Sequence, residues 1–591
     1  MGMGRELGVG SREKLSGARI LVESLIEQGV EVVFGYPGGA VIDIYDELYL
    51  CQDRIRHVLV SHEQHAAHAA DGYARSTGKT GVCLATSGPG ATNLVTGIAT
   101  AFVDSVPIVA ITGNVSMPLL GKDSFQEVDI AGITMPIVKH NWIVEDVNDL
   151  ARIICEAFIV ASSGRSGPVL VDIPKDVISA FCVYNGLTSR ENLMAVVDGR
   201  AGRLLEKTRR KTFTDTDIER AAELIKNSKR PLFFAGGGVI NSGANAELQK
   251  LAELLGAPVA LSLMGMGAFP REHSLCTGLI GMHGTEASRK ALQKSDLLIA
   301  AGARFSDRVT SSAQRFARNA KIIHIDIDKA EIDKNVKTDV YIAGDLKTVL
   351  ELLIKKIPKG LPTEWGDDLN QWKSSIKSGS KGESGKHNDH KRVNRRQKSV
   401  LHPCFVIQET ARALGENTIA VTDVGQHQVW TAQFFPFKKP RTFLSSGGMG
   451  TMGYGMGAAA GAKIANPDTP VALFTGDGCF RMNSAEMATL VKYKLPVLII
   501  IFNNKTLGML RQWQNRFHEA RYSETDLDNL GPDFIKLAEA YEISGFRAAS
   551  ETDFLNALEK SVELLASGKP ALIEAIISKD EKALPMLVDI K

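Results

Sequence analysis

Cysteine is sparse and unorganised in this 591-residue chain. Cys51, Cys83, Cys155, Cys182, Cys276, Cys404 and Cys479 form no CxxC pair. That excludes a disulfide framework or a zinc site on such spacing and points to reduced thiols in an intracellular, cytoplasmic protein. An excess of one charge is missing too. With 69 basic against 67 acidic residues, net +2, nothing calls for nucleic acid or a membrane surface as partner. No apolar run reaches the length of a membrane span. Met1 to Lys14 mixes charges with glycines and lacks an apolar signal core. What remains is a chain with 44% hydrophobic residues, long enough for about three domains.

The most informative stretch is Gly476-Asp477-Gly478 followed, after 24 intervening residues, by Asn503-Asn504. Val471 to Thr475 reads as a buried parallel strand, Ser484 to Tyr493 as a helix capped by Asn483 or Ser484, and Leu495 to Phe502 as a second buried strand. Both motifs then sit at the carboxyl ends of adjacent parallel strands, where open α/β sheets bind ligands. A carboxylate (Asp477), an amide oxygen (Asn504) and a backbone carbonyl (Thr506) are hard oxygen ligands of the kind Mg2+ takes together with phosphate and water. Gly476 and Gly478 let the backbone approach a diphosphate.

Upstream, strand and helix signals alternate in a doubly wound pattern. Gly35 to Gly39 is a tight turn. Ser61-His62-Glu63-Gln64 ends a strand and opens an alanine-rich helix. On the residues alone, Glu63 is equally a catalytic carboxyl or a helix N-terminal acid favoured by the dipole. Thr86 to Asn93 is a glycine-rich turn that suits a phosphate cradle or, better, a close helix-strand contact. Farther on, Gly236-Gly237-Gly238, Met264 to Gly267, Gly281 to Thr285, Gly302 to Phe305 and Ile325 to Asp328 each end or follow an apolar run, so they gather at one edge of a second parallel sheet. Asp326 or Asp328 there can bind ribose hydroxyls and Arg304 a diphosphate; a spacer domain with unused glycine turns stays open. From Lys373 to Lys398 there are nine Lys or Arg, two acids and almost no apolar residue, the composition of a solvated tether. Asp423 to Gln428 follows a strand and offers amides and side chains to diphosphate oxygens. Ser446 to Gly455 is too glycine-rich for a core strand.

The Gly476 to Asn504 stretch, its continuation Gly508-Met509-Leu510-Arg511-Gln512-Trp513-Gln514, and His62-Glu63 with Gly72-Tyr73-Ala74-Arg75 resemble the catalytic large subunit of the acetohydroxyacid synthases, which are thiamine-diphosphate enzymes; the match covers nearly the whole chain. The resemblance implies three doubly wound parallel-sheet α/β domains, the first and third of thiamine-diphosphate-binding type and the middle one of FAD-binding type. The expected boundaries are 15–184 (pyrimidine side), a linker at 185–214, 215–358 (FAD), a basic linker at 359–400, 401–578 (diphosphate and Mg2+) and a tail at 579–591.

It implies decarboxylation of pyruvate and condensation of the two-carbon unit with a second pyruvate, giving 2-acetolactate, or with 2-oxobutyrate, giving 2-aceto-2-hydroxybutyrate. Glu63 becomes the residue sharing a proton with the cofactor's pyrimidine nitrogen. Gly39, Phe125, Gln126, Lys175, Met452 and Trp513 complete the implied catalytic set: Phe125 and Gln126 line the pocket, Met452 props the bent cofactor, and Trp513 selects the larger acceptor. The implied cofactor contacts around a structural FAD are Arg165, Gly237, Met264, His283, Gly284, Thr285, Gly302, Arg304, Asp307, Arg308, Asp326, Ile327 and Asp345. Around thiamine diphosphate they are Val424, Gln426, His427, Gly450, Met452, Gly476, Gly478 and Met509, with Asp477, Asn504 and Thr506 on the metal. A homodimer or tetramer and a separate small regulatory subunit are implied as well.

Three alternatives remain. A pyruvate oxidase or decarboxylase would share the thiamine core, but the Gly508 to Gln514 segment speaks against it. A flavin-free catabolic acetolactate synthase would not need the arginines and aspartates of the middle domain. A non-catalytic regulatory homologue would not need Glu63, Asp477 and Asn504.

Overall fold

The computed structural model describes residues 14–184, 186, 202, 203, 206, 212–312, 315–361, 363–366, 368, 369, 371, 372 and 401–586. Most of the expected 185–214 linker, the basic stretch 373–398 and residues 587–591 of the tail lie outside the described residues. Backbone contacts group the chain into two compact units, one holding the first of three six-stranded sheets and the other holding the second and third.

The first unit is built on β1 (Val32–Gly35), β2 (Arg56–Leu59), α1 (Glu63–Thr77), β3 (Gly81–Ala85), β4 (Ile108–Asn114), β5 (Asn141–Ile143) and β6 (Val169–Pro174). The six strands are parallel, in the order β2-β1-β3-β4-β6-β5. Every residue of β3, β4 and β6 is buried, as covering both faces of a parallel sheet requires. Helix α1 is buried from His65 to Ala74. Its alanines let it press on the sheet so closely that a Cβ on Gly81 would lie 2.1 Å from the Ala70 carbonyl oxygen. Lys14–Ser16 pairs antiparallel with Phe181–Val183.

The second unit begins with a helix, Asp215–Asn227, opened by a capping box between Thr214 and Asp217. Its first sheet holds β7 (Pro231–Ala235), β8 (Val259–Leu261), β9 (Cys276–Leu279), β10 (Leu297–Ala301), β11 (Lys321–Asp326) and β12 (Val340–Ala343). The order β9-β8-β7-β10-β11-β12 is the 3-2-1-4-5-6 arrangement of dinucleotide-binding sheets. The stretch expected to be linker from residue 359 is still part of this layer. Trp365, Leu369 and Trp372 are buried against it, and Trp365 Nε1 donates to the Pro231 carbonyl at 2.9 Å. Two tryptophans bury enough apolar area to outweigh a charged neighbourhood.

The last sheet holds β13 (Ile419–Thr422), α2 (Gln426–Phe434), β14 (Phe443–Ser445), β15 (Val471–Gly476), α3 (Asp477–Asn483), β16 (Val497–Asn503), α4 (Gly508–Phe517), α5 (Phe534–Ala540), β17 (Ser544–Ala548) and β18 (Ala571–Ile576). Its order, β14-β13-β15-β16-β18-β17, repeats that of the first sheet strand for strand. Ile499, Ile500 and Ile501 are fully buried on alternating faces, each contributing about 1.5–3 kcal/mol. The helix expected from Ser484 in fact starts at Asp477; Ser484–Glu486 is a 3-10 turn before a further helix, Met487–Lys492. Asn483 makes no capping bond; its amide is drawn to Asp423 instead, at 3.3 Å.

Burial of His65 on α1, with His62 adding repulsion, pushes its imidazole down to about 4. The unfolded chain then takes up a proton at this position before the folded one, so stability is lost as pH falls from about 6.5 toward 4. Between pH 7 and pH 5 this contributes about 2 kcal/mol. Replacing His65 with Gln is expected to remove that much of the acid sensitivity in urea titrations at the two pH values; an unchanged pH slope would reject the assignment.

Candidate functional site

The carboxyl ends of β13, β15 and β16 open on a cavity of about 80 Å³, lined among others by Gln426, His427, Met452, Asp477, Asn504 and Met509. Val424, Gly476, Gly478 and Thr506 line it too. Asp477 Oδ1 accepts the Gly478 N–H at 3.0 Å, but Oδ2 is buried without a protein partner, as is His427 Nε2. Desolvation pushes the Asp477 carboxyl up to about 7 and the His427 imidazole down to about 3. A buried carboxylate with a vacant oxygen is stabilised by a cation. Asn504 Oδ1 accepts the Thr506 N–H at 3.3 Å, and its Nδ2 faces Gln426 Oε1 at 3.4 Å. Among the described residues no group of three or more His, Cys, Asp or Glu is placed to hold a metal ion. A cation held by Asp477, Asn504 and the Thr506 backbone must therefore draw further oxygens from phosphate or water, which is the habit of Mg2+.

The loop that carries Gly450 and Met452 is fixed by Asp423, which belongs to the Asp423 to Gln428 stretch expected to serve diphosphate oxygens. Asp423 is fully buried; Oδ1 accepts the N–H groups of Gly453 and Gly455 at 2.9 and 3.0 Å, and Oδ2 accepts the Thr475 hydroxyl at 2.8 Å. Gly450 and Gly453 have φ of +70° and +88°, where a Cβ would be strained. Trp513 is half-buried on α4, its ring 5.0 Å from that of Phe517. Its neighbour Gln512 is buried: its Oε1 accepts from Gln426 Nε2 at 2.9 Å and from the Ala583 N–H at 3.0 Å. Gln426 also donates to the Glu581 carbonyl and Gln433 to that of Leu584. The described part of the expected tail is thus packed along α2.

In the second sheet the glycine turns meet where β7 and β10 diverge. Gly302, at φ +54°, would clash with the Gly238 Cα at 2.6 Å if it bore a Cβ. Gly237 faces Met264, whose sulfur lies under Gly447 of the last sheet. Gly284 closes a turn on Gly281, His283 Nδ1 pairs with the Pro585 carbonyl at 2.9 Å, and Thr285 caps the following helix. Gly302 leads into Arg304; Asp307 and Arg308 are exposed and paired at 3.6 Å. Asp326 Oδ1 accepts the Asp328 N–H, and Ile327 between them is exposed. Asp345 uses Oδ1 to cap the next helix through Thr348.

In the first unit, Glu63 is the first residue of α1, the position a helix dipole favours for an acid. Its Oε2 accepts the Asn93 amide at 2.9 Å, and a Cβ on Gly90 would lie 3.3 Å from Oε1. Gly38 packs on Thr86, whereas Gly39 has open space before it. Gln126, at φ +58°, presses on Gly88; Phe125 beside it is 87% exposed. Glu127, given no role by the sequence, holds that loop by accepting the N–H of Ser124 at 2.9 Å and those of Gly121 and Lys122. Lys175 opens a short helix after β6, and Arg165 donates to Ser105 Oγ at 2.8 Å.

Three successive segments match thiamine pyrophosphate enzymes: residues 15–133 the N-terminal TPP-binding domain, 218–353 the central domain and 423–575 the C-terminal TPP-binding domain. The chain is 45% identical over 586 residues to the acetolactate synthase of Mycobacterium leprae, covering 98% of this chain and 89% of that one. It is 46% identical over 585 residues to the acetolactate synthase large subunit of Corynebacterium glutamicum, covering 97% and 89%. To the probable acetolactate synthase large subunit of Methanocaldococcus jannaschii it is 46% identical over 576 residues, covering 97% and 93%. The chain belongs to the acetolactate synthase large-subunit family. Membership makes thiamine diphosphate its cofactor and the first and last sheets its two TPP-binding domains.

Within this family member the signals that would have exposed Gln512 and Asp423 were weak but present. Gln512 shares the i, i+3 face of α4 with Met509, where a polar side chain must find partners; Asp423 directly follows the fully buried strand Ile419–Thr422.

Gly508 gives the tightest local constraint. A Cβ there would sit 2.0 Å from Gln426 Oε1 and 2.8 Å from Asn504 Nδ2, and Gln426 is held by Gln512 and Glu581. Substituting Gly508 with Ala is expected to lower stability by about 1–3 kcal/mol in urea titration; wild-type stability would mean that Gln426 yields freely.

Proposed function

We propose that the chain is an acetolactate synthase of branched-chain amino acid biosynthesis, taking pyruvate as donor and pyruvate or 2-oxobutyrate as acceptor. The observation that carries this is 45–46% identity over 97% or more of the chain to proteins named acetolactate synthase, with the three TPP-enzyme domains in order. Bound thiamine diphosphate supplies an electron sink for the pair released when CO2 leaves a 2-oxo acid. Glu63 is assigned the proton shared with the cofactor's pyrimidine nitrogen: Asn93 occupies Oε2 and leaves Oε1, beside Gly90, for it.

Asp477, Asn504 and the Thr506 carbonyl are assigned to Mg2+; the vacant Asp477 Oδ2 supports this. Val424, Gln426, His427, Gly450, Gly476, Gly478 and Met509 are assigned to the diphosphate side, and Met452 to the prop beneath the cofactor. Gly39, Phe125, Gln126, Lys175 and Trp513 are assigned to the substrate.

A structural FAD is assigned to the crevice between β7 and β10, with Arg165, Gly237, Met264, His283, Gly284, Thr285, Gly302, Arg304, Asp307, Arg308, Asp326, Ile327 and Asp345 as its contacts. The strand order and the close approach of Gly238 to Gly302 support it. We assign 15–184, 215–358 and 401–578 as the domains. A homodimer or tetramer and a small regulatory subunit go with the reading, since relatives carry the name large subunit. Seven free thiols suit the cytoplasm.

Anaerobic product analysis with pyruvate, thiamine diphosphate and Mg2+ is expected to yield acetolactate only when FAD is present. Equal yield without FAD would remove the flavin, and acetaldehyde or acetate would replace the synthase with a decarboxylase or oxidase. Glu63→Gln is expected to cut turnover at least about 100-fold while Mg2+-diphosphate binding persists; unchanged turnover would discard Glu63.

A further inference from the structure

Behind the loop carrying Asn504 and Thr506 a polar line runs inward from the surface to two buried side chains, Glu574 and Asn503, and hydrophobic packing does not explain it. Glu574 on β18 is 3% exposed, in a strand otherwise made of Ala, Leu and Ile. A carboxylate so placed is tolerated only when paired. Its Oε2 accepts Arg547 Nε at 2.7 Å from β17, and Arg547 Nη2 donates at 2.9 Å to Asp533, which caps α5. Its Oε1 accepts Asn503 Nδ2 at 2.6 Å from β16. The register explains the alignment: Glu574 lies opposite both Ile501 and Arg547, and Asn503, two residues beyond Ile501, shares its face.

Asn503 is held at both ends. Its Oδ1 accepts the Lys505 N–H at 3.1 Å, and Lys505 has φ +54°, the left-handed conformation that a side chain disfavours. That strained residue separates Asn504 from Thr506. We propose that Glu574 is a positioning residue for the metal loop: through Asn503 it maintains the left-handed turn at Lys505 and so sets where Asn504 and Thr506 present their oxygens. The proposal rests on the assignment of those two residues to a divalent cation. Partners one layer behind metal ligands govern affinity by about 10–100-fold.

Two measurements on the full chain test it. The first is a Mg2+ titration with thiamine diphosphate, followed by the intrinsic tryptophan fluorescence, to which Trp430 in the cavity lining contributes. The second is hydrogen exchange at the Lys505 amide in the cofactor-free protein. Glu574→Gln keeps the size but must turn an NH2 toward Asn503 or Arg547. It is expected to weaken Mg2+ binding about tenfold or more and to speed Lys505 exchange by a similar factor, with kcat restored at saturating Mg2+. Asn503→Ala, which leaves Glu574 paired with Arg547, is expected to do the same.

Wild-type Mg2+ affinity in folded Glu574→Gln overturns the proposal, whether or not exchange quickens, because a purely structural tie would leave the metal untouched. Should Glu574→Gln not fold, wild-type affinity in Asn503→Ala overturns it alone. A wild-type chain that binds no Mg2+ sinks the metal assignment instead; exchange at Lys505 then decides the link by itself, faster exchange upholding it and unchanged exchange ending it.

Discussion

The last domain depends on one uncompensated group, the carboxylate of Asp477. Burial removes its water, and while Oδ1 accepts the Gly478 N–H, Oδ2 is left without a protein hydrogen-bond partner. Such a group either keeps a proton or accepts a cation. Its surroundings suit the cation, because the nearby Asn504 amide and Thr506 backbone bring neutral oxygens without adding charge. The three glycines at this end of the sheet, Gly476, Gly478 and Gly508, keep side-chain volume out of the space where His427, Leu507 and Gln426 already crowd. From behind, Asp423 ties the Met452 loop, and the line of Asn503, Glu574 and Arg547 runs under the loop of Asn504 and Thr506.

Topology explains why the polar groups gather where they do. Neighbouring strands whose connections leave in opposite directions open a crevice at their carboxyl ends. In each sheet a glycine packs closely there: Gly38 on the Thr86 side chain in the first, Gly236 and Gly238 on the Gly302 backbone in the second, Gly455 on the Asp423 side chain in the third. The first and last sheets share one strand order and differ in what hangs from it, a glutamate opening α1 in one and an aspartate opening α3 in the other. A common scaffold carries different side chains at the same kind of edge, so the fold alone does not say what each edge does.

Much of the fold was legible because parallel strands buried on both faces announce themselves as apolar runs, as in Val471 to Phe474 and Val497 to Phe502. The reading slipped where two local signals competed. Asn483 and Ser484 look like a helix cap, so the helix was expected to begin there, yet α3 starts seven residues earlier at Asp477 and Asn483 serves Asp423. The basic composition after Lys373 drew the expected linker back over Trp365, which the middle sheet claims for its core.

The sequence by itself determined the chemistry on offer: the spacing of Asp477 and Asn504 across one strand-helix-strand unit, the carboxyl of Glu63 at a helix start, the glycines at strand ends. All of these lie within one or two elements, where the periods of helix and strand suffice to place them. Only the tertiary structure decided which polar groups hold these in place. Asp423 reaches Thr475 and the Gly453 turn, Gln512 reaches Ala583, and Glu574 reaches Asn503. Each pairing joins distant stretches of chain and exists only because strand order and register bring them face to face. A shift of one residue between β16 and β18 would turn Glu574 to the opposite face from Asn503.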